Sequence, residues 1–165
     1  MAEHRMDAPA GWRDMDDQDL VELVCEDLHT WLDGGFYDPT SGPSFQEPTP
    51  GQAGLFALWR FERSMWFEGV ETTLRNSDGV FLPAAMEAYK RFGIPRCEEV
   101  ARRIIEFAKL TPYPYDQSER QQRLPDGGEF SDQYDELYAA FESAMEDAKP
   151  HPADYIRAHP DEFFS

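Results

Sequence analysis

The chain has 165 residues, 41% of them apolar and 14% aromatic, which is enough for one domain with a real core and too apolar for a disordered acidic tail. It carries 33 acidic side chains against 15 basic ones, a formal net charge of −18, and that sign disfavours direct binding to nucleic acid or to anionic lipid. Two cysteines are too few for a disulfide scaffold, and no basic segment followed by an apolar run opens the sequence, so the expectation is a cytoplasmic protein without a membrane span.

Residues 1–13 read as a frayed N-terminus, followed by a single helical domain over 14–165. Asp14, Asp16 and Asp17 crowd the start of a first helix, where the helix dipole favours negative charge. Leu20, Val21, Val24, Leu28, Trp31 and Leu32 form its apolar stripe, and Gly34-Gly35 ends it. Asp19, Glu22 and Glu26 stack on its other side, about 5–6 Å apart along the axis. Gly35 to Pro50 carries four prolines and reads as a loop.

Thr49-Pro50-Gly51-Gln52 has the spacing of a capping box with proline at the first helical position. Leu55, Leu58, Trp59, Met65 and Trp66 continue at helical spacing, so this second helix is expected to be central, with a bend at Glu68-Gly69. Asn76-Ser77-Asp78-Gly79 is a turn by composition. Pro83 opens a helix closed by Gly93, and Pro95 opens another through Val100, Ala101, Ile104, Ile105 and Ala108. Thr111 to Gly128 reads as a second irregular, Pro-rich stretch. Ser131 caps a last long helix with Tyr134, Leu137, Tyr138, Phe141 and Met145 on its core side and Asp132, Asp135, Glu142 and Glu146 outside. The end reads as a short docked helix and an aromatic anchor. The fold class expected is all-α, a compact domain of about six or seven helices with two Pro-rich loops.

Charge is uneven along this plan. Residues 1–50 hold 12 acids and 2 bases, residues 51–111 hold 8 and 9, and residues 112–165 hold 13 and 4. Self-repulsion on that scale costs stability, and the two explanations are solubility and a cationic partner.

The middle and the end of the chain resemble a bacterial family of helical proteins of unknown function, named for DNA mimic protein nineteen. The matching residues are Gly69, Asn76-Ser77-Asp78-Gly79, Gly93-Ile94-Pro95, Tyr113-Pro114-Tyr115-Asp116 with Arg120, and Tyr155 through Phe163, including Arg157, His159, Pro160 and Glu162. The resemblance spans about residues 55–165. Phe67-Glu68 stand where the family pattern has Asn-Gly, and Thr72-Thr73-Leu74 replace its Gln and aromatics. The resemblance implies an all-α fold, is compatible with homodimers and, for at least one member, implies an acidic surface that resembles the DNA backbone. It supplies no catalytic residues.

Other chemistry is weaker. Cys25 and His29 lie four apart on a helix, but Cys25 abuts the apolar stripe and no further metal ligands cluster with them. His151 and His159 sit beside prolines in the tail. Glu98, Glu99 and Glu106 could serve as a carboxylate pair for acid–base work, but helical spacing favours pairing with Arg102 and Arg103, and Arg60, Arg63 and Arg75 are read as neutralising nearby acids rather than as a basic patch. No phosphate loop, dinucleotide glycine pattern or metalloprotease helix appears, and neither a cofactor nor a metal is expected.

The leading expectation is therefore an acidic, non-enzymatic binding protein that acts as a DNA mimic. Asp19, Glu22, Glu26, Asp132, Asp135, Glu142 and Glu146 would meet the basic surface of a partner protein, either a DNA-binding protein or a nuclease. Two alternatives stand beside it: an immunity-type or scaffolding protein using shape and aromatics, and a small hydrolase or transferase with a pocket near Asn76–Gly79.

Overall fold

The computed structural model describes residues 4–32, the backbone of 37–38 and 42–43, residues 48–148, and residues 151–165. Among them the chain forms seven α-helices, α1 (Asp17–Leu32), α2 (Pro50–Arg75), α3 (Leu82–Phe92), α4 (Pro95–Phe107), α5 (Gln117–Arg123), α6 (Ser131–Ala148) and α7 (His151–Ala158), joined by short 3-10 turns. No described helix is long and apolar enough to cross a membrane. The fold is a single all-α domain, as the apolar periodicities indicate.

Helix α2 is the axis of the fold. The expected capping box is formed: Gln52 N–H donates to the Thr49 hydroxyl at 3.2 Å, and Thr49 N–H donates to Gln52 Oε1 at 2.9 Å. Leu55, Phe56, Ala57, Leu58, Phe61 and Met65 are all buried, so the first half of α2 is apolar around most of its circumference. Around it pack α1, α3, α5 and α6, together with the 3-10 turns at 77–81 and 160–162. The expected bend falls at Gly69, whose φ of 76° and ψ of −179° break the helical path. That combination belongs to a region of backbone space open almost solely to glycine.

Several expectations need correction. Residues 4–13 are docked, not frayed. Met6 N–H donates to the Phe163 carbonyl at 3.2 Å, Ser165 N–H donates to the Met6 carbonyl at 3.0 Å, and Trp12 is buried with its ring 4.6 Å from that of Phe164. The first helix starts at Asp17, after a 3-10 turn at Trp12–Asp14. Within the first Pro-rich stretch, Tyr37–Asp38 and Gly42–Pro43 pair as two-residue antiparallel strands, β1 and β2. The Gly34-Gly35 stop and the rest of that loop lie outside the described residues.

The stretch read as irregular over 111–128 contains α5, whose start is fixed by Asp116 accepting from Glu119 N–H at 2.8 Å. Ser131 is the first residue of α6 itself. Arg103 reaches across to Glu136 on α6 at 3.7 Å, while Arg102 pairs with Glu99 as its spacing suggests. Trp66, read as core, is 45% exposed.

Candidate interaction surface

The segments that carry the family resemblance are load-carrying parts of the scaffold. At the end of α2, the Asn76 side chain accepts from Asp78 N–H at 2.8 Å and donates to Ser64 and Glu68. Ser77 begins the 3-10 turn and is exposed, and Asp78 pairs with Arg60 at 2.6 Å. Arg120 is wholly buried. Its guanidinium donates to the carbonyls of Leu74 (2.6 Å), Asn76 (2.7 Å), Pro114 (3.1 Å) and Tyr115 (3.1 Å). Two of these four belong to the C-terminus of α2, where a cation meets the negative end of the helix dipole. Gly79 leaves no room for a side chain: a Cβ there would lie 2.7 Å from the Thr73 carbonyl oxygen and 2.8 Å from Arg120 Nε. The Tyr113 hydroxyl donates to the Gly79 carbonyl. Arg120 thus sits against the inner side of the Asn76–Gly79 turn and ties it to residues 114–115.

The tail motif grips the other end of α2. Glu162 accepts from Gly51 N–H in the first turn of α2 and from the Tyr155 hydroxyl at 2.7 Å, so its carboxylate caps the helix N-terminus. Arg157 donates to Asp17 and to the carbonyls of Arg13 and Met15, which fastens the start of α1. His159 lays its ring 4.3 Å from that of Tyr155, Pro160 opens the last 3-10 turn, and Phe163 is buried. These residues hold the fold, and of them His159 alone is largely exposed.

The carboxylates singled out by spacing are placed differently. Asp19, Glu22 and Glu26 on α1 are exposed, as are Asp132, Asp135, Glu142 and Glu146 on α6. None of the ion pairs among the described residues involves them; Glu22 accepts one bond, from Gln18. Their neighbours on the same helices are paired: Asp17 with Arg157, Asp27 with His4, Glu136 with Arg103 and Asp147 with Arg96. At 100° per residue, the four free acids of α6 fall within a sector of roughly 80°, beside the sector that α4 neutralises.

Both rows adjoin one stripe of α2. On α1, His29 packs its ring 4.9 Å from Trp59. On α6, Tyr138 and Phe141 pack against Trp66 at 6.4 and 5.2 Å. Trp59 and Trp66 are two helical turns apart, so they share a face and lie about 10 Å apart along the axis. Glu22 and Glu26 lie seven and three residues before His29, and Asp135 and Glu142 lie three before and four after Tyr138, so each row borders its helix's contact with this stripe. Arg63 sits between, its guanidinium 5.7 Å from the Trp59 centroid and 6.0 Å from that of Phe67. Phe67 itself is 80% exposed. Periodicity alone puts Trp66 in the core; the kink at Gly69 ends the apolar stripe just beyond it and leaves this aromatic ridge exposed.

Between Trp59 and Trp66 along α2 lies a half-buried carboxyl group. Glu62 accepts from the Tyr89 hydroxyl at 2.9 Å, and burial pushes its carboxyl up to about 7 against the lowering effect of that bond. Cys25 and Cys97 are both buried; burial raises both thiols, Cys97 to about 12, and the Glu62 charge raises them further. They are inert packing residues by this measure. Among the described residues no three His, Cys, Asp or Glu side chains gather as a metal site. The position of Glu62, four residues after Leu58 and three before Met65, was readable as inward-facing.

The family model described as "DMP19-like protein" matches residues 46–159. No curated protein and no solved structure matches the chain.

Proposed function

The chain belongs to the DMP19-like protein family, and from that premise we propose that it is a non-enzymatic acidic protein that occupies the nucleic-acid-binding surface of a basic partner, a DNA-binding protein or nuclease. The observation that carries this reading is the sorting of the acids. On α1 and α6 the carboxylates at regular outward spacing are exposed and outside ion pairs, while those flanking them are neutralised. Carboxylates on a rigid helix reach a row of partner Lys and Arg without the cost of bending a duplex. The hydrolase or transferase reading has less support, since Arg120 and Gly79 pack closely together at the turn where it needs a pocket.

The test is capture from a host lysate on the immobilised protein, identification of what a salt gradient releases, and calorimetry with that purified partner. The expected result is binding that weakens steeply with salt, that the partner's own nucleic acid displaces, and that Glu22→Gln, Glu26→Gln, Asp135→Asn and Glu142→Gln together weaken at least tenfold. Affinity unchanged by these four substitutions overturns the reading.

A further inference from the structure

Acid rows alone leave Trp66 and Phe67 unexplained. Exposed large aromatics side by side on a rigid helix are uncommon on a surface this charged. Here they lie just before the kink of α2, where Tyr138 of α6 packs against Trp66, and Asp135 and Glu142 stand three residues before and four after Tyr138 on that helix. Resting on the function proposed above, we propose that Trp66 and Phe67 are the anchor of the interface, and that what docks on them is arginine from the partner's basic surface: each guanidinium lies flat on a ring while its edge bonds a carboxylate of α6 or α1.

Charge complementarity selects this occupant. A second copy of the chain would bring its own free carboxylates against these, like charge on like. A nucleic acid strand could stack its bases on the rings, but its phosphates would meet the same carboxylates. A purely apolar partner would strip water from Asp135 and Glu142 and return nothing. Arginine satisfies both halves of the site, because its guanidinium is planar, weakly hydrated and able to stack and to donate at once; lysine satisfies only the charge. The chain itself shows the geometry, with Arg63 held near the rings of Trp59 and Phe67. At 80% exposure, most of the Phe67 ring remains open to a second cation.

The experiment compares nona-arginine and nona-lysine peptides of equal charge by calorimetry on the intact protein. The wild type binds the arginine peptide more tightly. Phe67→Ser and Trp66→Ser each weaken the arginine peptide, together on the order of 5- to 30-fold, while the lysine peptide changes less than twofold. Phe67 makes few contacts of its own, so Phe67→Ser keeps the wild-type melting temperature and answers the question even if Trp66→Ser loosens the packing against Phe141. An arginine preference that survives both substitutions overturns the proposal. If it survives while the four acid substitutions weaken both peptides alike, the anchor is refuted and the acidic-surface function stands. If neither peptide binds at low salt, both fall. Sedimentation supplies the last arm: a dimer that becomes a monomer on Phe67→Ser shows that a second copy covers the ridge, which also overturns the proposal.

Discussion

Glu62 shows how far a single side chain departs from its exposed counterparts. Its carboxyl accepts from the Tyr89 hydroxyl, and burial holds the proton on up to about pH 7 instead of the ordinary 4.5. Between those two values the folded protein binds a proton that the unfolded chain has released. Stability due to this group is therefore greatest below pH 4.5, falls by at most about 1.4 kcal/mol per pH unit as pH rises toward 7, and is level above it. The Glu62→Gln variant keeps the shape and the bond from Tyr89 without the titration. Urea unfolding at pH 5.5 and 8 should show the wild type losing more stability than Glu62→Gln over that interval, by on the order of 1–2 kcal/mol. Equal losses would mean that Glu62 stays ionised throughout. Arg120 is the opposite case, a buried guanidinium whose partners are four carbonyls instead of a carboxylate. Its partners come from 74–76 and 114–115, so nothing in local spacing announces them.

At the scale of elements, most of the plan was legible. Capping, proline and glycine positions placed the starts of α2, α3 and α4 and the end of α3, because each acts through bonds within a few residues. Helix α5 was hidden by the prolines on either side, although Asp116 three residues before Glu119 is a cap signature. The docking of residues 4–13 was not legible, since it depends on backbone bonds between Met6 and the last three residues. Of the surface, the carboxylate rows were readable from periodicity, but their shared border on α2 depends on how three helices pack. The kink at Gly69 was read from one glycine, and it carries a prediction. Gly69→Ala forces a side chain into φ 76°, ψ −179° and should destabilise the fold by about 1–3 kcal/mol. Nothing lies within 4 Å of the added Cβ, so the cost is backbone strain alone. A melting temperature equal to the wild type would show that α2 straightens through this point without penalty.

The whole molecule carries a net charge of −18, and its free carboxylates sit on helices that share α2 as a neighbour. Their mutual repulsion acts over distances that salt shortens, from a screening length of about 10 Å at 0.1 M to about 3 Å at 1 M. Raising sodium chloride across that range should lift the melting temperature by several degrees. A flat response would mean that the repulsion is already relieved by spacing and pairing. The gripping tail has a different bearing, on kinship. Tyr155, Arg157, Glu162 and Phe163 are turned inward to hold α1 and α2, so selection for a stable frame is enough to preserve them whatever the protein meets outside. Tyr155 and Arg157 lie within the residues matched to the family, and descent recognised through residues of that kind is inheritance of a chassis. The faces of α1 and α6 answer to a separate pressure, and two relatives that share this tail are free to carry unrelated surfaces and to serve unrelated partners.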